Sequence, residues 1–383
     1  VREGDAHRIT EVIAHPLTHR LPAPTQTSWG RYDRVSIMLV EVRTDTGIIG
    51  FGESLARFAP CAYAELVETA LAPRLIGRDP RHIGANWALM RRALSGRAGG
   101  MLIEAIAGID IALWDIAGKA SGQPIWRLLQ GEGTPAVPVY AASVGWGDDD
   151  RAAEEEAVDF VGRGFTSLKV KIGAPVIAAC RRIERIRAAV GDRVELTADA
   201  NWAYDLDCAI AVGQALARNG YTWFEEPLRP EDEDGYRALH RRCEVPLAAG
   251  ESNYTLDQAA PLVTDQTLSV LQPNITRSGG ITETLRMARL AAAHGVAYAP
   301  HVGMSGIVCE AASLHVAAAM PNTRIMECPC SANLFKSELA DLAPGAARAE
   351  GGMLAVPEGP GLGLEINRDA LLRMKALALE EVA

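Results

Sequence analysis

No Lys/Arg-rich run occurs anywhere in the 383 residues, and 48 acidic against 38 basic side chains leave a formal charge of −10. Holding a nucleic-acid backbone takes a basic patch, so a polyanionic partner is excluded, and a small anionic substrate would need positive charge gathered locally. Long hydrophobic runs are missing too. The apolar stretch Ile103 to Ile116 is broken by Glu104, Asp110 and Asp115, which is incompatible with a bilayer span. Seven cysteines, odd in number and scattered, give no disulfide framework, and Cys328-Pro-Cys330 is too tight for both sulfurs to chelate one zinc. Reduced thiols and a cytoplasmic location are expected, since no secretory or stop-transfer pattern opens the chain. No P-loop sequence is present, and Gly361-Leu362-Gly363 lacks the following helix of a dinucleotide fingerprint, so no nucleotide cofactor is implied.

What remains is an ordinary globular composition, 48% hydrophobic and 22% charged, which rules out disorder, a collagen repeat and a coiled coil. The length calls for two domains, or one large barrel with an appended module, because closed α/β barrels use roughly 250 residues. The first third reads as α+β. Arg8 to His15 and Val35 to Val42 alternate with strand period, and Asp45-Thr46-Gly47 turns into Ile48 to Glu53. Helical patterns follow at Tyr63 to Leu75, Asn86 to Leu94 and Leu102 to Lys119, the last stopped by Ser121-Gly122. Pro16 to Arg34, with Pro16, Pro22 and Pro24, reads as a long loop.

After Pro135 short apolar runs alternate with longer amphipathic segments, the signature of a parallel sheet. Eight strand candidates appear: Val137 to Tyr140, Ser167 to Lys171, Glu195 to Asp199, Thr222 to Glu225, Leu247 to Gly250, Leu268 to Gln272, Ala297 to Pro300 and Arg324 to Glu327. Eight suit a barrel better than an open sheet. The tail returns to a strand-like Met353 to Val356 and a Gly/Pro-rich run, read as packing back on the first domain. The expected organisation is an α+β capping domain over residues 1–134, a barrel over 135–345 and a returning segment over 346–383.

Seven consecutive strand candidates end in a polar residue: Lys171 (with Lys169), Asp199, Glu225, Glu251, Asn274, His301 and Glu327. From Lys169 the steps are 30, 26, 26, 23, 27 and 26 residues, one βα unit each. In a closed barrel the C-terminal strand ends converge on one mouth, whereas in an open sheet strands this far apart would not meet. Asp199, Glu225 and Glu251 would then be three anions at one mouth, which resist ionising together unless a cation neutralises them. Oxygen-only ligands suit Mg²⁺. The plainer alternative, that each carboxylate pairs with a surface arginine, does not account for the spacing. In Lys169-Val170-Lys171 both ammonium groups lie on one strand face, and each is expected to lower the other's pKa, moving Lys171 towards the neutral amine a base needs. His301, opposite Lys171 around eight strands, is a candidate second proton carrier.

These residues resemble the enolase superfamily and, within it, the mandelate racemase subgroup. The resemblance runs from Gly108-Ile109-Asp110-Ile111-Ala112-Leu113-Trp114-Asp115 through Lys169-Val170-Lys171, Asp199-Ala200-Asn201, Glu225-Glu226-Pro227, Gly250-Glu251-Ser252 and Pro300-His301 to Pro360-Gly361-Leu362-Gly363. It implies an α+β cap over a (β/α)₇β TIM-like barrel, Mg²⁺ held by Asp199, Glu225 and Glu251, and Lys171 as base. It also implies Lys169 at the substrate carboxylate, His301 as the opposite acid or base, and Glu327 as a hydrogen-bonding partner of the enolate. Glu251 looks like the mandelate racemase subgroup, since muconate lactonizing and dipeptide epimerase relatives usually carry Asp there and lysine on the sixth strand. Asn201 stands where dehydratases with an Asp-x-His motif have histidine. Asn274 departs from the usual Asp beside the histidine: it brings no charge and can present its amide as donor.

The expected reaction is removal of the proton α to a carboxylate, most simply on the way to dehydrating a sugar acid (an aldonate or aldarate) to a 2-keto-3-deoxy acid. Racemisation or epimerisation of a 2-hydroxy acid is the alternative, and a non-catalytic metal-binding barrel a remote one. Cap-loop candidates for substrate contact are Trp29, Arg31 and Tyr32 in one loop and Arg57 and Phe58 in the other, beside Asn201 and Asn274 in the barrel. A small carboxylate substrate and a homo-oligomer are expected, with no nucleic-acid or membrane partner.

Overall fold

Three antiparallel strands open the chain: β1 (Ile9–Thr27), β2 (Gly30–Thr44) and β3 (Ile49–Ser54), in that order across the sheet. The computed structural model describes residues 7–27, 30–95, 99–130, 136–145, 147, 149–342 and 351–380. The loop expected over residues 16–34 is instead the outer half of a long hairpin, paired as far as Thr27 and Gly30. Its prolines misled the reading. They lie on β1, which has a strand neighbour on one side only, where a missing N–H is tolerated, and the register slips between Arg20 and Thr25 around Pro22 and Pro24.

Against this sheet pack α1 (Pro60–Leu66), which continues through a π turn (Val67–Leu71) into α2 (Ala72–Leu75), then α3 (Ile83–Arg91), α4 (Gly100–Ser121) and α5 (Ile125–Gln130). Gly122 adopts a left-handed φ of 66° and ends α4. α4 lies so close to β3 that a Cβ at Gly52 would stand 1.8 Å from the Gly108 carbonyl oxygen, so glycine at both positions is a packing requirement. The three acids inside α4 are buried anchors: Glu104 meets Arg277 (3.0 Å), Asp110 accepts from the Thr282 N–H (2.9 Å), and Asp115 accepts from Phe51 and Leu362 N–H groups (both 2.9 Å). No helix of the described residues is long and apolar enough to cross a membrane.

The second unit alternates strand and helix. The strands are β4 (Ala136–Val144), β5 (Ser167–Lys171), β6 (Glu195–Asp199), β7 (Phe224–Glu225), β8 (Leu247–Ala249), β9 (Val270–Leu271), β10 (Ala297–Tyr298) and β11 (Met326–Pro329). Between them run α6 (Asp150–Gly162), α7 (Val176–Val190), α8 (Leu206–Arg218), α9 (Glu233–His240), α10 (Leu256–Thr264), α11 (Gly280–Ala293) and α12 (Ile307–Ala319). Strands β4 to β10 pair in parallel in chain order, and β11 pairs with β4. The ring closes between β10 and β11, where Arg324 N–H reaches Tyr298 O (2.9 Å) and Glu327 N–H reaches Pro300 O (3.2 Å). This is a (β/α)₇β barrel beneath an α+β cap. Cap and barrel are tied by Leu55 N–H to Thr276 O (3.2 Å), by Trp87 Nε1–H to Gly279 O (2.8 Å) and by Glu53, which accepts from Gly306 N–H (2.7 Å).

After the short α13 (Leu334–Ser337) and β12 (Ala340–Leu342), the tail reaches the cap by way of the barrel. β13 (Met353–Ala355) first pairs antiparallel with β4, β14 (Leu364–Ile366) pairs with β12, and α14 (Arg368–Glu380) then packs on β1, with Arg368 pairing the buried Glu41.

Candidate active site

Period-two alternation sends Lys169 and Lys171 to the inner face of β5, and the parallel register sets Lys171 beside Asp199 and Asp199 beside Glu225. Both lysines are buried. Lys169 Nζ lies 2.7 Å from Glu225, 2.8 Å from Glu327 and 3.3 Å from Asp199. Lys171 Nζ donates to Asp199 and, at 2.9 Å, to Asn201 Oδ1. The mutual lowering of the two lysine pKa values expected from their spacing is not the outcome at Lys169. Burial disfavours its charge, but Glu225 and Glu327 outweigh that and hold its pKa well above the ordinary range.

The carboxyls divide into two kinds. Burial pushes Glu225 up to about 7 despite Lys169, and pushes Glu226 up to about 8, with Glu251 adding to the effect. Asp199, Glu251 and Glu327 go the other way: burial raises each, and the neighbouring Lys171, His301 and Lys169 respectively overcome it. Glu327 accepts from the Val302 and Gly303 N–H groups (both 2.7 Å) as well as from Lys169. In this arrangement it holds Lys169 and the turn after His301 while reaching the cavity wall.

Among the described residues no group of three or more His, Cys, Asp or Glu side chains stands in a ready coordinating array, because the lysines bridge the carboxylates. The donor set nevertheless fits a hard divalent cation. Five buried carboxyls, Asp199, Glu225, Glu226, Glu251 and Glu327, face two lysines and a histidine, two of the carboxyls are pushed towards neutrality, and Glu251 Oε2 is buried with no hydrogen bond.

His301 follows β10, three strands from β5 one way round and five the other. Its Nε2 stands 2.8 Å from Glu251 Oε2, off a hydrogen-bonding direction, and 3.6 Å from Glu327. Its Nδ1 lies 3.0 Å from Asn274 Nδ2. Which end of the Asn274 amide faces the ring is fixed from behind: Thr276 N–H, which can only donate, reaches Asn274 Oδ1 at 3.0 Å, and the Thr276 hydroxyl donates to the same oxygen at 2.7 Å. The amide therefore donates to Nδ1, and a neutral His301 carries its proton on Nε2. Burial opposes charge on the ring, while Glu251 and Glu327 favour it and raise the pKa.

Above the mouth is a cavity of about 600 Å³, lined by Lys171, Asn201, Glu251, His301 and Glu327 below and by Tyr32, Arg57, Phe58, Tyr63 and Glu104 from the cap. Lys169, Asp199, Glu225 and Asn274 stand behind that surface. Of the cap-loop candidates, Tyr32, Arg57 and Phe58 reach the cavity, Arg31 is not on its wall, and Trp29 lies outside the described residues. Sequence reading missed the network in which Glu104 takes Arg277 on one oxygen and the Tyr63 hydroxyl on the other, with Arg277 also reaching Ser252 Oγ at 3.1 Å. A glutamate inside the apolar face of α4 was its available signal.

The match with known proteins follows the same two-part division. The family model described as mandelate racemase / muconate lactonizing enzyme, N-terminal domain, matches residues 8–130, and that described as enolase C-terminal domain-like matches residues 152–370. D-galactarolactone cycloisomerase of Agrobacterium fabrum is 36% identical over 96% of this chain and 99% of its own length. D-galactonate dehydratase of Verminephrobacter eiseniae is 34% identical over 88% of this chain and 90% of its own. A racemase from Streptomyces coelicolor solved with bound magnesium superposes with a TM-score of 0.87 at 28% identity, covering 96% of this chain and 99% of that one. The chain belongs to the mandelate racemase / muconate lactonizing enzyme family of the enolase superfamily.

Proposed function

We propose that this protein is a lyase that removes the proton α to the carboxylate of a sugar acid and expels the β-oxygen, giving a 2-keto-3-deoxy acid. The observation that carries this reading is that Lys171 and His301, from well-separated strands, line one cavity over a floor of buried carboxylates. Asp199, Glu225 and Glu251 would hold a magnesium ion, which when bound supplies positive charge for the negative charge that builds on the substrate carboxylate. Lys169, fixed between Glu225 and Glu327, adds a permanent positive charge that needs no reorganisation. Lys171, oriented by Asn201, takes the α-proton onto Nζ as a neutral amine. The electron pair left on the α-carbon forms the C=C bond as the β-carbon releases its hydroxyl, His301 steadies the departing oxygen with a hydrogen bond from Nε2–H, and the proton taken up by Lys171 completes the water. The resulting enol tautomerises to the 2-keto acid, and the net loss is one water.

The Asn274 contact favours elimination over racemisation. A two-base racemase needs Nε2 to accept a proton, and an amide donating to Nδ1 keeps the proton on Nε2 instead. It also supports a second reading, in which the leaving oxygen is the ring oxygen of a sugar-acid lactone. That oxygen departs as a carboxylate and needs little help from an acid. Incubation of a library of sugar acids and their lactones in D₂O with Mg²⁺ tests both. Release of 2-keto-3-deoxy acid supports elimination, α-deuterium in recovered substrate without that product supports racemisation, and no exchange by Mg²⁺-bound protein supports the non-catalytic barrel.

A further inference from the structure

The cap wall of the cavity carries a positive charge that no described side chain pairs with. Arg57 sits in the loop between β3 and α1, which Leu55 tethers to the barrel through Thr276. Its Nε is shielded from solvent and has no hydrogen-bond partner, and Arg57 makes no ion pair among the described residues. Most other charges on the wall are paired, and Glu251, whose Oε2 has no hydrogen bond, favours the charge of Arg57 without forming an ion pair with it. Glu104, the one described carboxylate on the cap side of the cavity, is taken by Tyr63 and Arg277, Arg34 pairs with Asp33 at 3.0 Å, Lys171 with Asp199, and Glu327 with Lys169. Burial and the nearby Arg277 work against the charge of Arg57 and outweigh Glu251, Tyr32 and Glu104, which favour it, so a guanidinium held here costs stability that a ligand counterion would offset.

We propose that Arg57 receives a second anionic group at the far end of the substrate from the reacting carboxylate, so that the substrate class is a sugar diacid, or the monolactone of one, rather than a sugar monoacid. This rests on the sugar-acid reading above and narrows it. The guanidinium fork matches a carboxylate bidentately, and Arg57 enters the cavity from the cap whereas Lys171 and His301 enter it from the barrel.

The test is a paired substrate series in Mg²⁺: hexaric acids against the hexonic acids of the same configuration, for wild type, Arg57→Met and Arg57→Lys. The proposal expects the wild type to favour the diacid in kcat/KM by about 100-fold, the scale of losing one buried charge-assisted contact. In Arg57→Met that ratio should fall by a similar factor, chiefly through the diacid KM, and Arg57→Lys should recover part of it. A wild type indifferent to the second carboxylate, or an Arg57→Met variant that loses both acids equally, would overturn it. If neither acid class exchanges its α-hydrogen, the sugar-acid reading fails, and calorimetric binding of the same pairs still decides the subsite. Tighter diacid binding that Arg57→Met abolishes sustains it, and equal affinities reject it. Retained thermal unfolding and Mg²⁺ binding in Arg57→Lys show that the change is not misfolding.

Discussion

Replacing Asn274 with Asp should reverse the protonation pattern of His301. In the present structure Asn274 Oδ1 is held by the Thr276 N–H and hydroxyl, so its Nδ2 faces His301 Nδ1 at 3.0 Å as a donor. An aspartate keeps the Thr276 contacts on one oxygen and turns the other, an acceptor, on Nδ1. The neutral ring then carries its proton on Nδ1 and leaves Nε2 as a base. A full charge about 4 Å from the ring is worth about 4 kcal/mol at an effective dielectric of 20, which would be about 3 pKa units. Desolvation of the new carboxylate and its approach to Val302 O, now 3.4 Å from Nδ2, work against this, so a rise of about 1–2 units is expected. The assay is ¹⁵N chemical shifts of His301 in both proteins across pH. Wild-type neutral ring protonated on Nε2, with the variant switched to Nδ1 and titrating higher, is the expected result. A wild-type ring protonated on Nδ1 would refute the reasoning. With substrate, the variant should also return more α-deuterated starting material, since Nε2 can now accept a proton.

Gly303 has φ +56°, and a Cβ there would stand 2.7 Å from His301 Cε1. Gly303→Ala should therefore lower kcat about 10- to 100-fold by displacing the ring, on the scale of one misplaced acid–base group, while calorimetric Mg²⁺ affinity stays within a few-fold. Glu251→Gln should instead weaken Mg²⁺ binding, and titration at fixed pH reads this directly. Metal-free stability should fall as pH rises from 5 to 8. Glu53 and Asp110, buried and raised to about 7, stay protonated in the folded chain while the unfolded chain has already released those protons. Their stabilisation is full below the unfolded carboxyl pKa and is lost as pH passes about 7, at most about 3–4 kcal/mol per group. Glu41 and Glu327, held low, titrate below this window, while His315, lowered by burial to about 4, opposes the fall up to about pH 6.5 as one group against two. A melting temperature unchanged or rising between pH 5 and 8 would contradict this.

The barrel was legible because its functional groups repeat once per βα unit: a step near 26 residues ties Asp199, Glu225, Glu251 and His301 to one mouth. The cap was legible in its core strands and its helices, and failed where local rules and tertiary context disagreed. Proline signalled a loop over residues 16–34, yet the chain keeps pairing because β1 has a strand on one side only. Polar residues inside apolar patterns were also under-read. Glu104, Asp110 and Asp115 marked the helix as unfit for a membrane, but their partners Arg277, Thr282 and Leu362 lie far away in sequence, where periodicity carries no information. The direction in which Asn274 donates was equally hidden, since it is set by Thr276 through a backbone N–H.

The central claim, that Lys171 removes the proton α to a sugar-acid carboxylate, is tested most directly by following that hydrogen. Wild-type protein with Mg²⁺ in D₂O should release 2-keto-3-deoxy acid from at least one acid in the library. Lys171→Ala, shown to be folded and to bind Mg²⁺, should lose α-hydrogen exchange and product together, by about 10²–10⁴-fold or more. Exchange persisting in Lys171→Ala at a rate near that of the wild type would contradict the account.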